Sequence, residues 1–504
     1  MILVKTLAGL QAALAAIAPE KEVGFVPTMG ALHAGHGSLI RRARVETNFV
    51  VVSIFVNPLQ FGENEDLDQY PRTLEGDRHF CESLGVDLIF APSVDEIYGQ
   101  AESVEIVPPN SMTHTLCGKY RPGHFVGVAT IVVKLLQLVR PTIAYFGEKD
   151  AQQLAIIKRL ATDLYLPVKI QGCPIVREES GLALSSRNQY LSDAEKIQAL
   201  GLSQALAAAH QLFKTGEREG EKLLAIAHQT LKKCPEVKLQ YIELVHPETL
   251  QPLTTVTESG LLAIAAHVGA TRLIDNVMLN SRQPIIAIDG PAGAGKSTVT
   301  RRVADELGLL FLDTGAMYRA IAWLVLENKL DPKDEIAVAE LVSGATVELK
   351  PSEDPEKPTT VLVNGHDVTT AIRTPTVTAQ VSVVAAQAAV REALVKQQQN
   401  MGKQGGIVAE GRDIGTHVFP DAEVKIFLTA TPAERARRRA KDLEAQGETV
   451  DLAKLETDIT ERDRLDSTRK IAPLVKAADA VEIVTDGMTI EQVVEKITAM
   501  HKTL

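Results

Sequence analysis

A chain of 504 residues, 45% hydrophobic and 23% charged, has length for about two to four domains, each with a full core. Its net charge of −11 argues against a surface that coats nucleic acid, yet permits a local basic pocket for a small anion. Cys81, Cys117, Cys173 and Cys234 show no C-x-x-C spacing, so reduced thiols in a cytoplasmic compartment are expected, not a metal cage or disulfide scaffold.

Residues 7–18 are apolar, but no basic segment precedes them, so a strand and helix are expected there and not a signal peptide. No uninterrupted apolar run reaches the ~18 residues of a membrane span. Residues 23–26, 50–56, 88–90 and 142–146 read as strands, and 38–46, 74–84 and 126–139 as helices. That alternation predicts an α/β, doubly wound, Rossmann-like domain over 1–176. Helix-like runs at 193–215 and 217–233, with strand-like runs at 239–245 and 260–268, predict a small α+β lid domain over 177–280. A short polar join ending in Pro284 leads to a third domain over 283–504. Within it, 346–367 is broken by Pro351, Pro355 and Pro358 and carries the turn pair Asn364-Gly365, which predicts a small antiparallel insert. Buried strands are expected at 407–410 and 423–428.

The first chemical signal lies at 27–36, Pro-Thr-Met-Gly-Ala-Leu-His-Ala-Gly-His, where a strand enters a helix. His33 and His36 are three apart and share a helix face, at an end where free N–H groups and the dipole favour anions. Two imidazoles there can donate to a triphosphate and stabilise charge on departing pyrophosphate. Alone, such a pair is equally compatible with two incidental polar residues near a cap. Asn57 and Gln60 stand just beyond the second strand, where open α/β sheets bind ligands. Gly147-Glu148-Lys149-Asp150 and Gln153 follow another strand, and a helix would put Lys149 and Gln153 on one face. Leu184-Ser185-Ser186-Arg187 offers hydroxyls and a guanidinium suited to phosphate.

The blocks at 26–36, 53–62, 70–73, 118–127, 146–153 and 184–188 together resemble the pantothenate synthetase (pantoate–β-alanine ligase) family of nucleotidyltransferases over roughly residues 1–280. The resemblance implies attack of pantoate on the ATP α-phosphate, then attack of β-alanine on the pantoyl adenylate. It makes His36, with His33 and Lys149, the catalytic set. It assigns ATP to Met29, Gly30, His33, His36, Gly147, Glu148, Lys149, Asp150, Val176, Leu184, Ser185, Ser186 and Arg187, and pantoate and β-alanine to Asn57, Gln60 and Gln153. It also implies a homodimer through this half. Ala34, Gly37, Leu59 and Ala151 depart from the family's usual Glu, Leu, Thr and Tyr. The histidine signature occurs too in aminoacyl-tRNA synthetases and other adenylyl transferases, which leaves another adenylyl-transferring ligase open.

The second signal is Gly290-Pro-Ala-Gly293-Ala-Gly295-Lys296-Ser297, which fits G-x-x-x-x-G-K-[ST]. Its N–H groups cradle phosphates, Lys296 reaches the β/γ oxygens and the Ser297 hydroxyl suits Mg²⁺. Arginines follow at 412, 435, 437–439, 462, 464 and 469, and phosphoryl transfer between polyanions needs several cations. This set resembles bacterial cytidylate kinases over roughly 283–504. The resemblance implies ATP on Gly290, Gly293, Gly295, Lys296, Ser297 and Thr298, with Mg²⁺ on Ser297. It implies CMP on Thr314, Arg391, Arg412, Asp413, Asp466 and Arg469, with Arg435 and Arg438 or Arg439 in a closing lid. Lys296, Arg412 and Asp413 would be catalytic, and another nucleoside monophosphate remains an open acceptor. ATP with Mg²⁺ is expected at both sites, with no tightly bound organic cofactor, no nucleic acid and no membrane.

Overall fold

Six short strands, β1 (Ile2–Val4), β2 (Val23–Thr28), β3 (Phe49–Ile54), β4 (Leu88–Phe90), β5 (Ile143–Gly147) and β6 (Lys169–Cys173), pair in parallel in the order β1-β4-β3-β2-β5-β6. Val50, Val51 and Val52 are all fully buried, a continuous apolar run because helices cover both faces of the sheet. Phe25, Val51 and Phe90 pack on helix His124–Val139 through Phe125 and Val128. Val26, Val52 and Tyr145 pack on helix Ala34–Glu46 through Ile40. The strand order reverses between β2 and β5, and ligands bind in the crevice opened at such a reversal. β2 runs into the histidine segment, and β5 into the loop at Glu148–Asp150.

This computed structural model describes residues 1–62, 65, 67–100, 103–350, 359–445, 450–468 and 472–502. The chain divides into two units, Met1–Ser281 and Arg282–Leu504. In the first, β7 (Val237–Val245), β8 (Ser259–Val268) and β9 (Thr271–Asn280) form an antiparallel meander. Helices Asp193–Lys214 and Gly220–Leu231 cover it, the first closed at its start by a reciprocal cap between Ser192 and Glu195. β9 departs from the two-strand expectation. Asp275 and Asn276 interrupt its apolar pattern, and both are buried because they bind neighbouring loops. The second helix starts at Gly220 and not at 217, since Glu217 is spent accepting the Arg218 and Glu219 N–H groups.

In the second unit β10 (Ile285–Asp289) and β11 (Leu310–Asp313) precede the insert strands β12 (Val347–Lys350), β13 (Thr360–Val363) and β14 (His366–Asp367). β15 (Ile407–Gly411), β16 (Val424–Thr429) and β17 (Val481–Val484) complete a five-stranded parallel sheet ordered β11-β15-β10-β16-β17. The insert strands are antiparallel, turned at Asn364-Gly365 with φ of 49° and 81°, as a two-residue hairpin requires. Pro351, Pro355 and Pro358 lie outside the described residues. Ile285 to Ile288 are fully buried at the sheet centre, so the loop after β10 stands on a buried central strand. Among the described residues no helix is long and apolar enough to cross a membrane. The four cysteines are free.

Candidate active sites

The histidine segment of the first unit is built as a reciprocal cap. His33 is the N-cap of helix Ala34–Glu46; its Nδ1 accepts from the Gly35 N–H at 3.1 Å, and His36 Nδ1 accepts from the His33 N–H at 3.3 Å. The ring centroids lie 4.1 Å apart. A ring nitrogen that accepts a backbone N–H carries no proton, so each neutral imidazole bears its hydrogen on Nε2. Burial keeps both rings neutral: His36 is pushed down to about 3, with His33 and Lys149 adding repulsion, and His33 to about 4, with Lys149 adding its share. The pair therefore carries two N–H donors whose other nitrogens are already committed to the cap.

The turn before the cap is held by Asp77, which no sequence signal marked. Its carboxylate accepts from Ala31 N at 3.0 Å and Leu32 N at 2.8 Å. Gly30 and Ala31 take left-handed φ of 84° and 50°, and a Cβ on Gly30 would meet Asp77 and Ile54 at 3.0 Å. Met29 and Gly30 thus sit in a turn fixed from beneath.

Across the β2–β5 crevice, Lys149 belongs to the single turn Glu148–Asp150 and Gln153 to helix Ala151–Asp163, capped by Asp150 on Gln153 N at 3.0 Å. The two are not on one helix face, because the chain tightens at 148–150 before the α-helix begins. Asn276 of β9 donates to the carbonyls of Glu148 (2.9 Å) and Lys149 (3.0 Å). Burial lowers the Lys149 ammonium to about 8; Asp150 and Asp275 oppose the shift, and Arg187 adds to it. Leu184 N bonds Val176 O at 2.9 Å, and Ser185 Oγ accepts from Arg187 N, opening the turn Ser186–Tyr190. Lys149 interacts electrostatically with His33, His36 and Arg187, which brings these segments together.

The loop carrying Gln60 is fastened from two sides. Asn57 is 1% exposed; its Nδ2 donates to Gly127 O at 3.0 Å, while its Oδ1 accepts from Tyr98 Oη at 2.8 Å and Leu59 N at 3.3 Å. Asn57, expected as a substrate contact, anchors the loop with both ends of its amide. Arg121 forks onto Glu65 and donates to Gln60 O at 3.2 Å. His124 Nε2 accepts from Arg121 at 2.9 Å, which leaves Nδ1–H to donate to Gln60 O at 2.7 Å. Gln60, Glu65, Arg121 and His124 line one pocket of about 440 Å³.

In the second unit the glycine loop turns at Gly290, Gly293 and Gly295, with φ of 148°, 79° and 84°. A Cβ on Gly290 would stand 1.9 Å from Leu428 O, so the loop passes β16 only because that position is glycine. Helix Lys296–Leu307 follows. Lys296 does not reach outward: its Nζ donates to Gly290 O and Pro291 O, both at 2.7 Å, and burial with Arg412 nearby lowers its pKa. Ser297 Oγ donates to Glu410 Oε1 at 2.8 Å. Asp289, at the end of β10, accepts from Ile414 N and Gly415 N at 2.7 Å each, tying the phosphate loop to the turn after Arg412-Asp413. Burial raises its pKa to about 6 despite those two bonds.

Gly293, Gly295, Lys296, Ser297, Glu410 and Arg412 line one cleft of about 1550 Å³. Arg412 Nε donates to Asp466 at 2.9 Å, and Arg391 pairs with Asp413 deep in the wall. Thr314 Oγ1 donates to Glu410 O at 2.7 Å. Arg435, expected in the closing lid, is 2% exposed: it donates to Asp463 at 2.9 Å and to Ala292 O of the phosphate loop at 3.0 Å, and so fixes helix Pro432–Ala445 to that loop. Arg438 lines the cleft together with Arg437, and Glu434 accepts from both at 2.8 Å. Arg439 is exposed and is not among the cleft residues. Arg469 lies outside the described residues.

A Rossmann-like unit with an anion-binding helix start, joined to a parallel sheet with a phosphate loop and paired arginines, defines a two-site nucleotide enzyme. The Pantoate-beta-alanine ligase family model matches residues 2–278, and the Cytidylate kinase model matches 286–503. The chain is 61% identical over 504 residues to a bifunctional pantoate ligase/cytidylate kinase of Synechocystis sp., covering 99% of this chain and 98% of that one. It is 60% identical to the protein of that name from Trichormus variabilis, covering 96% and 92%. The crystal structure of pantothenate synthetase from Thermus thermophilus superposes with a TM-score of 0.53 at 46% identity, over 55% of this chain and 99% of that one. The chain belongs to the bifunctional pantoate ligase/cytidylate kinase family, and both halves are enzymes.

Proposed function

We propose that the first unit joins pantoate to β-alanine through a pantoyl adenylate, using the outward Nε2–H groups of His33 and His36. A pantoate carboxylate oxygen attacks the α-phosphorus of ATP, and the bond to pyrophosphate breaks. Neutral imidazole donors bonded to phosphate oxygens stabilise the charge that gathers there. His36 is the principal donor, and Lys149 and Arg187 neutralise the departing pyrophosphate. Met29, Gly30, Gly147, Glu148, Asp150, Val176, Leu184, Ser185 and Ser186 frame the nucleotide. Gln60 and Gln153 hold pantoate, Gln60 also places the β-alanine amine, and Asn57 serves them by anchoring the loop. That amine then attacks the acyl carbon, loses a proton and expels AMP.

The second unit transfers the ATP γ-phosphoryl group to CMP or dCMP. The N–H groups from Gly290 to Thr298 cradle the donor, and Lys296 leaves its loop carbonyls for the β/γ oxygens. Thr314, Arg391, Arg412, Asp413, Asp466 and Arg469 hold the acceptor, and Arg438 with Arg437 closes over the phosphates. Mg²⁺ would sit on Ser297: the hydroxyl gives its hydrogen to Glu410, leaving lone pairs for a cation, and screens the phosphate charge when bound. Mg²⁺ accompanies ATP at the ligase site too. A homodimer through the first unit and a cytoplasmic location complete the reading. The observation that carries it is the pair of neutral imidazoles after β2 whose Nδ1 atoms are held by the helix cap, so that each ring's hydrogen sits on Nε2. A substrate panel tests it: AMP should form from ATP only with pantoate plus β-alanine, and ADP fastest with CMP or dCMP. AMP formation that follows an amino acid in place of pantoate would overturn it.

A further inference from the structure

β9 is an edge strand of the meander, and two neighbours on it, Asp275 and Asn276, are buried. Each side chain holds a different segment that the ligase reading assigns to ATP. Asn276 Nδ2 donates to Glu148 O at 2.9 Å and to Lys149 O at 3.0 Å. Carbonyls only accept, so the amide nitrogen must face them, and both of its hydrogens are used. Asp275 accepts from Arg177 Nη1 at 2.6 Å and Nη2 at 2.9 Å. Arg177 in turn pairs with Ala183, in the segment where Leu184 N bonds Val176 O. Lys149 sits in the three-residue turn between β5 and helix Ala151–Asp163. Among the described residues its ammonium makes no hydrogen bond or ion pair, so its direction is set by the backbone of that turn, and the turn is held from the meander.

We propose that Asn276 is a positioning residue for the adenylation step: by fixing the carbonyls of Glu148 and Lys149 it aims the Lys149 ammonium at the pyrophosphate that leaves ATP. A cation that acts on developing charge must be in place before the charge appears, and a misplacement of about 1 Å costs up to about 10²-fold in rate. The proposal rests on the reading of Lys149 as the cation for that leaving group. It gives the aim of that cation to an amide of the antiparallel meander, 127 residues further along the chain.

The test is a double-mutant cycle in the full-length chain. Single-turnover formation of pantoyl adenylate from ATP and pantoate is followed for Asn276→Ala, Lys149→Ala and the double variant, each well below its melting temperature. Asn276→Ala should lower the rate about 10–100-fold when Lys149 is present, and by less than about twofold when Lys149 is already alanine. A merely structural role costs the same in both backgrounds, so equal losses overturn the proposal. A rate within about twofold of wild type for Asn276→Ala, with Lys149→Ala impaired, overturns it too. A rate within about twofold of wild type for Lys149→Ala overturns the reading of Lys149 and this assignment together. Should Asn276→Ala lose its melting transition, crystals of the wild-type chain with a non-hydrolysable ATP analogue decide. The Asn276 amide is then expected within about 3.2 Å of both carbonyls, with the Lys149 ammonium on a phosphate oxygen. An amide released from both carbonyls in that complex overturns the proposal.

Discussion

The proposed sites of the two units hold their polar groups in opposite ways. In the first, the proposed donors are preset: the Nδ1 atoms of His33 and His36 are consumed by the helix cap, so each ring is oriented before any ligand arrives. In the second, the proposed cations are latched. Lys296 rests on loop carbonyls, Arg412 on Asp466, Arg391 on Asp413, and Arg437 and Arg438 on Glu434. A preset donor loses little on binding substrate, whereas a latched cation must exchange partners. The difference suits the chemistry: the adenylation site stabilises one leaving group, and the kinase site must gather several cations around two polyanions.

The largest expected break in this comparison is His36→Ala. Losing a preorganised donor to developing charge costs about 10²–10³ in rate, so AMP formation from ATP, pantoate and β-alanine should fall that far, with CMP phosphorylation unchanged. A loss under about tenfold would remove His36 from the chemistry.

The second test is pH. Lys149 is lowered to about 8 by burial, so it is charged below that pH and neutral above it. Ligase kcat/KM for ATP, which reports free-enzyme groups, should therefore fall as pH rises through about 8 in wild type and persist to higher pH in Lys149→Arg. Matching profiles would show that Lys149 does not carry the phosphate contact.

His33→Asn tests the cap itself. An asparagine oxygen is a good N-cap acceptor, whereas alanine there costs about 0.5–2 kcal/mol. The asparagine variant should melt close to wild type yet bind ATP less tightly, separating the two nitrogens of His33. Equal melting of the Ala and Asn variants would deny the cap any weight.

The smallest effect is expected from Glu434→Gln, which releases Arg437 and leaves Arg438 held by Thr485 alone. Exposed pairs are worth about 0.2–1 kcal/mol, so the kinase KM for ATP should drop by a factor of about 1.4 to 5. A rise would mean that Glu434 positions the arginines and does not restrain them.

Much of this was legible in the sequence. Strands 23–26, 50–56, 88–90 and 142–146 fall within a residue or two of β2 to β5 at most of their ends, because buried parallel strands read as apolar runs. The phosphate loop and both histidines declare themselves by local pattern. What escaped is what depends on distant chain. Asp77 serves a turn 45 residues away, Asn276 a loop 127 residues away, and Glu410 a serine 113 residues away; no short motif records such pairings. β9 was missed because Asp275 and Asn276 break its apolar pattern for the sake of those contacts. The anchoring role of Asn57 escaped because a polar residue at a strand end looks the same whether it faces substrate or the loop beneath.

The central claim is that one chain carries two independent ATP sites with different chemistry, and Lys296→Met tests it most directly. In the full-length variant, ADP formation with CMP and AMP formation with pantoate plus β-alanine are measured side by side. The expected result is loss of CMP phosphorylation by at least about 10², with pantothenate formation within about twofold of wild type. Parallel loss of both activities in a variant that still melts like wild type would contradict it.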